Sequence, residues 1–190
     1  MCFKPPCSLI GKVLALVVLL FVTHTLQSAL EMGQEARIVQ IDFSSAFDRV
    51  NHQGILFKLC FVGVRSSVLS VLTQFLSNRS QYVMVDGCRS KLVNVVSGVP
   101  QGSVLGKQLF LFYTAELFSI VENKLYGYAD DFTLVAVVPS LDERVAVSES
   151  MNGDLNRVSV WCYLWGMKLN ARKTKTMIVS RSQTVHPQLC

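Results

Sequence analysis

The chain has 190 residues, 51% hydrophobic and only 16% charged, with a net charge of +5 and a pI near 9.0. That length holds one domain with a real core, or one and a half small ones, and the apolar content excludes a disordered tail. The modest basic excess suits a polyanionic partner without identifying one. The six cysteines (Cys2, Cys7, Cys60, Cys88, Cys162 and Cys190) form no C-x-x-C pair, and His24, His52 and His186 complete no zinc spacing. Such scattered thiols read as small buried hydrophobes, and no disulfide partner is expected.

In chain order, Lys4 and Lys12 precede an apolar run from Val13 to Val22. A basic start, a short apolar core and small residues afterwards outline a signal peptide. The run is short for a membrane span, which needs roughly 20 apolar residues. The preferred reading is a buried helix whose apolar face continues through Leu26 and Leu30. A strand starts at Arg37 and leads into Ser44-Ser45-Ala46-Phe47-Asp48. Helices follow near 54–61 and 67–76, separated by Gly63. Segments 81–86 and 91–96 alternate around Asp86-Gly87, a pair suited to a tight hairpin turn.

The loop Ser97-Gly98-Val99-Pro100-Gln101-Gly102-Ser103 opens a helix expected to reach about Val121, with Leu105, Leu109, Phe110 and Phe112 on its apolar side. Segments 124–128 and 132–138 form a second hairpin around Ala129-Asp130-Asp131. A long helix from Leu141 should bury Leu141, Val145, Leu155, Val158, Cys162 and Trp165, and stop at Gly166. Lys175 to Val179 completes the set as an edge strand. The sum is an α+β fold, an antiparallel sheet backed by helices.

Asp42 ends one strand, and Asp130-Asp131 sit at a hairpin tip. One sheet edge can collect all three acids. Clustered carboxylates raise one another's pKa unless a cation compensates, and magnesium, a hard ion that prefers oxygen ligands, is the natural one. An isolated Asp-Asp in a turn is usually just a solvated turn. Here apolar strands flank the pair on both sides. A third motif, Gly102-Ser103-Val104-Leu105-Gly106-Lys107-Gln108, is not a P-loop: it is one residue short between the glycines and has Gln where Ser or Thr must hold magnesium.

Four boxes carry a resemblance. Tyr128-Ala129-Asp130-Asp131 resembles the metal-binding box of reverse transcriptases, and the run from Val39 to Val50, Val-Gln-Ile-Asp-Phe-Ser-Ser-Ala-Phe-Asp-Arg-Val, resembles the first-aspartate box of jockey-like non-LTR retrotransposon enzymes. Ser97 to Gly106 resembles their template and nucleotide loop, and Trp165 to Thr176 resembles the box after the acids. The resemblance implies a reverse-transcriptase palm over 37–182 with part of the fingers. Residues 1–36 are then an apolar helix region, partial fingers or signal-like, and 183–190 a truncated tail, with a thumb supplied elsewhere in the full-length element.

It also implies an RNA-directed DNA polymerase acting on an RNA template, a DNA primer and deoxynucleoside triphosphates, inside the cell. Two Mg2+ ions, with Mn2+ as a substitute, would sit on Asp42, Asp130, Asp131 and the Phe43 carbonyl. Lys173 would serve the pyrophosphate, Phe47 would exclude a 2′-hydroxyl, and Gln101 and Gly102 would touch the nucleotide. Arg79, Arg89, Lys91 and Lys175 are nucleic-acid contacts on this reading. Lys168, Arg172, Lys173 and Lys175 read alternatively as a solvated basic face, Phe47 as plain core, and Asp48 with Arg49 as a supporting pair. Lys107 stands where the family usually has proline, a change the first turn of a helix tolerates. The rival readings are a catalytically inactive retroelement remnant that keeps weak nucleic-acid binding, and a secreted or membrane-tethered protein of unrelated role.

Overall fold

Helix α1 (Cys7–Glu31) ends at Gly33, whose φ of +69° lets the chain turn into strand β1 (Glu35–Ile41). The computed structural model describes residues 7–181, with side chains from residue 15 onward. Cys2, Lys4, His186, Cys190 and the 183–190 tail lie outside the described residues, as do the side chains of Cys7, Lys12 and Val13. Among the described residues, no helix is long and apolar enough to cross a membrane.

After β1 come a 3-10 turn at Ala46–Arg49, α2 (His52–Phe61) and α3 (Ser66–Leu76). Four two-residue strands follow: β2 (Ser80–Gln81), β3 (Met84–Val85), β4 (Cys88–Arg89) and β5 (Val93–Asn94). Then come α4 (Val104–Thr114), α5 (Leu117–Ile120), β6 (Lys124–Tyr128), β7 (Asp131–Val138), α6 (Arg144–Trp165) and β8 (Lys175–Val179). The chain forms two compact units: Met1–Ser44 with Glu116–Cys162 and Leu169–Cys190, and Ser45–Ala115 with Tyr163–Lys168.

The first unit is built on an antiparallel sheet in the order β6-β7-β1-β8, with β8 at the edge as the sequence suggests. Helix α1 lies against β1 and β6, and the Thr25 and Tyr126 hydroxyls meet at 3.1 Å. Strand β1 is buried at every position but Gln40, so both its faces are covered. Two of those buried side chains are charged. Glu35 receives Arg37 Nε and Arg144 Nη2 at 2.8 Å each, and Arg37, with no exposed surface, also donates to the Ser148 hydroxyl.

Polar contacts of this kind orient α6. Its buried side runs Arg144, Met151, Asp154, Val158, Trp161, Cys162, whereas Leu141 and Val145 are 61% and 60% exposed. The apolar stripe expected from Leu141 and Val145 is therefore corrected: ion pairs and caps, not hydropathy alone, choose the face. Asp154 accepts from the backbone N–H groups of Glu122 and Asn123 (2.7 and 2.9 Å), from Asn123 Nδ2 (2.7 Å) and from Arg157 Nη2 (2.5 Å). Burial opposes its ionisation, but these donors outweigh burial and hold the carboxyl below its ordinary value of 3.8. Burial pushes the Cys162 thiol up to about 12, which makes it an inert core group.

The second unit centres on Lys58. Its ammonium donates to the Tyr113 carbonyl at 2.7 Å and sits 3.8 Å from the centroid of the Trp165 ring. Gly54 packs closely beside this cluster: a Cβ there would stand 3.2 Å from the Trp165 ring. Around it Ile55, Leu59, Leu76, Leu109 and Phe110 form the apolar core. Asp86 and Gly87, both at positive φ, make the tight β3–β4 turn that an Asp-Gly pair favours. The single helix expected to reach Val121 is two. The Thr114 hydroxyl bonds the Phe110 and Leu111 carbonyls, and Ala115 N–H falls back to Phe112 O, closing α4.

Asp154→Ala would remove the acceptor shared by the Glu122 and Asn123 backbone N–H groups just before β6 and should cost about 1–3 kcal/mol in chemical denaturation. Because the folded-state pKa of Asp154 is depressed, its contribution is complete above the ordinary carboxylate value. It disappears as pH falls through the depressed one, so acid titration should narrow the gap between wild type and variant.

Candidate active site: the acidic edge of the sheet

Strands β1 and β7 pair from Glu35↔Val138 to Ile41↔Phe132. One further step in that register sets Asp42 opposite Asp131. Facing positions on antiparallel strands hold their Cβ atoms roughly 4.5–5.5 Å apart, and like charges there repel. The other end of the strand pair is spared this conflict, so the repulsion is local to one edge.

Asp130 belongs to the hairpin tip. Tyr128 pairs with Asp131, leaving a two-residue turn of Ala129 and Asp130, so Asp131 opens β7 and is not a third loop residue. Ala129 takes φ +54°, a left-handed conformation that a residue with a Cβ adopts at a cost. The strand leading there is fixed by aromatic packing. A Cβ on Gly127 would stand 2.8 Å from the Phe132 ring and 2.9 Å from Phe118, and Phe132 meets Phe43 edge-on at 5.5 Å.

The backbone of Asp42 is clamped by a turn on the other side. Its carbonyl accepts from Asn170 N–H at 2.8 Å, and its N–H donates to the Thr174 hydroxyl at 3.3 Å. Phe43 bridges to Leu169, while Lys173 and Thr174 N–H return to the Asn170 carbonyl. That turn delivers cations to the acids: Asp42, Asp131, Arg172, Lys173 and Lys175, with Gln40 and Ile41, line one cavity of about 390 Å³. Among the described residues, no ion pair joins these carboxylates to these cations. Asn170 and Thr174 were not singled out in the sequence as site residues, although Asn at the start of a turn is a readable signal.

Electrostatics follow the geometry. Partial burial, then repulsion from Asp130 and Asp42, lifts the Asp131 carboxyl above its ordinary value of 3.8. Asp130 acts on Asp131 through its charge but does not line the cavity. Among the described residues, no group of three His, Cys, Asp or Glu forms a metal ligand set. Asp42 and Asp131 are nonetheless the donor chemistry a hard divalent cation prefers, and such an ion leaves other positions to water and phosphate oxygens.

The second unit holds the remaining sequence candidates. Phe47 is half-buried with its ring 4.5 Å from that of Phe110. Gln101 and Arg79 line a polar cavity of about 580 Å³ together with Asp48, Gln81, Asn94 and the 95–100 segment. Arg79 donates to the Gly98 carbonyl at 2.6 Å and the Leu76 carbonyl at 3.0 Å, so it braces the loop. Gly102 has φ +79° with open space where a Cβ would be. Arg89 stacks 3.7 Å from the centroid of the Tyr82 ring, and Lys91 is exposed in the loop after β4. Lys107 is exposed in α4, where nothing requires proline. The Asp48 carboxylate accepts from Gln101 Nε2 at 2.9 Å, a partnership the sequence did not reveal.

An antiparallel sheet bearing carboxylates at adjacent strand ends, with helices packed around it, is the α+β architecture of a reverse-transcriptase palm. Telomerase from Candida tropicalis, truncated from its C-terminal domain, shares this fold with a TM-score of 0.57 at 15% identity, over 95% of this chain and 42% of that one. The same telomerase in complex with a fragment of telomeric RNA also scores 0.57, over 92% of this chain and 34% of that one. Residues 4–186 match the family described as reverse transcriptase (RNA-dependent DNA polymerase), and the chain belongs to that family. Its members generally use divalent metal ions.

The RNA-directed DNA polymerase of the mobile element jockey from Drosophila funebris is 32% identical over 155 residues, 76% of this chain and 16% of the relative. The jockey polymerase from Drosophila melanogaster is 31% identical, again over 76% and 16%. A probable RNA-directed DNA polymerase from transposon BS of Drosophila melanogaster is 31% identical over 80% of this chain and 17% of its own length. The chain thus spans about a sixth of the length of these relatives.

Two substitutions test the strain at this edge. Ala129→Gly removes the Cβ from a left-handed position and should stabilise the fold by about 1 kcal/mol in denaturant titration. Asp131→Asn should raise Tm at pH 7 without divalent ions. A carboxyl with a raised folded-state pKa destabilises the fold when ionised, so lowering pH through that value should erase the variant's advantage.

Proposed function

We propose that the chain carries the nucleotidyl-transfer core of an RNA-directed DNA polymerase, copying an RNA template from a DNA primer with deoxynucleoside triphosphates. The observation that carries this reading is the shared cavity of Asp42 and Asp131, walled by Arg172, Lys173 and Lys175 and free of ion pairs. Opposed, unpaired charges of both signs suit a ligand that is itself a cation–polyanion composite, such as a metal-bound triphosphate.

On this reading Asp42 and Asp131, with Asp130 and the Phe43 carbonyl, hold two Mg2+ ions, and Mn2+ substitutes. Bound there, the ions supply Lewis acidity for the attacking 3′-hydroxyl and charge neutralisation for the departing pyrophosphate. Lys173 donates to a pyrophosphate oxygen as negative charge builds on it. Phe47, held by Phe110, presents a rigid ring against a ribose 2′-hydroxyl. Gln101 and Gly102 contact the nucleotide, the glycine because no side chain blocks approach to its backbone. Arg79, Arg89, Lys91 and Lys175 meet nucleic-acid phosphates, an attraction that salt weakens. On the same reading, the work is done inside the cell.

Primer extension on an RNA template should give magnesium-dependent product with wild type and none above background with Asp42→Asn or Asp131→Asn. Millimolar Mg2+ should also raise Tm of the wild type and leave those two variants unmoved. Equal extension by Asp131→Asn and wild type would sink the reading.

A further inference from the structure

The segment 97–101 folds down onto residues 47–50 through a dense set of contacts centred on Asp48. Ser97 Oγ donates to the Asp48 carbonyl at 2.9 Å, Gly98 N–H to Val50 O at 2.8 Å, and Val99 N–H to Phe47 O at 2.9 Å. Gly98 lies so close that a Cβ on it would stand 2.7 Å from Asp48 Cα. Every one of these contacts uses the Asp48 backbone or its neighbours. The Asp48 side chain is spent otherwise: its Oδ1 accepts from Gln101 Nε2 at 2.9 Å, at the wall of the 580 Å³ cavity.

A carboxylate only accepts hydrogen bonds, so it can face the NH2 end of an amide and never the carbonyl end. We propose that Asp48 is a positioning residue that fixes the polarity of the Gln101 amide, leaving Gln101 Oε1 turned away as an acceptor for a hydrogen-bond donor on the bound nucleotide. An exposed glutamine with no such partner would present either end, and each nucleotide would have to select the productive half of the population. This inference rests on the reading of Gln101 as a nucleotide contact. It adds the residue that makes that contact directional.

Asn and Glu at position 48 separate the orienting role from a structural one. Asp48→Asn keeps a hydrogen bond to Gln101 but can offer either its oxygen or its NH2, so the polarity is lost. Asp48→Glu keeps an acceptor-only group. The Asp48 side chain is exposed, and the contacts that hold the loop on residues 47–50 use their backbone rather than the Asp48 carboxylate, so both variants should keep the wild-type Tm.

The probes are the side-chain amide resonances of Gln101 in the free protein and binding of dTTP with Mg2+ followed by NMR titration. In the wild type one Gln101 amide proton should be shifted downfield as a charge-assisted donor; Asp48→Asn should abolish that shift and weaken dTTP binding roughly three- to tenfold. Asp48→Glu should restore most of both. Unchanged dTTP affinity in Asp48→Asn, with the amide shift gone, overturns the positioning role and leaves the polymerase reading standing. A parallel fall in Tm and affinity also overturns it, in favour of a merely structural contact. No dTTP binding by wild type that shows the shifted amide overturns the nucleotide reading itself, and the inference with it.

Discussion

The register of β1 against β7 is the constraint on which the site depends. Once Ile41 pairs with Phe132, Asp42 and Asp131 fall opposite one another, and no side-chain rotation removes two negative charges from one strand edge. A shift of one residue would turn Asp42 to the other face and would bury Gln40 in exchange for Val39. Packing forbids that shift, because β1 is covered on both faces and Phe132 is wedged among Phe43, Phe118 and Gly127. The apolar interior thus holds an arrangement that electrostatics opposes.

Polar groups within the first unit do a related job. Glu35, Arg37, Arg144 and Ser148 tie β1 to the start of α6, and Asp154 ties the middle of that helix to the start of β6. Buried ion pairs seldom add much net stability against an apolar alternative, since desolvation consumes most of the attraction. Their consequence here is directional. They choose which face of α6 meets the sheet whose strand ends carry the acids. Charge on the cavity wall is treated in the opposite way: Arg172, Lys173 and Lys175 stand near Asp42 and Asp131 without pairing, and remain available to a ligand.

In the second unit, the loop that opens α4 is anchored rather than loose. Gly98 and Gly106 allow backbone to pass backbone at distances a Cβ would not permit, and Ser103 caps α4 by accepting from Gly106 N–H at 2.9 Å. The exposed tip carrying Gln101 and Gly102 is therefore presented from a fixed base.

Sequence alone determined the order of elements, the edge position of β8, the Asp86-Gly87 turn and the four boxes that resemble a reverse transcriptase. Those features are written in local chemistry: alternation, aspartate and glycine at a turn, and short strings of fixed spacing. Tertiary structure decided the rest. The buried face of α6 was illegible because charged and polar residues, Arg144, Ser148 and Asp154, occupy it, and their partners Glu35, Arg37, Glu122 and Asn123 are remote along the chain. The clamp of Asn170 and Thr174 on Asp42 and the pairing of Asp48 with Gln101 were hidden for the same reason. A hydrogen bond between distant residues leaves no periodic trace, and only folding brings donor and acceptor within reach.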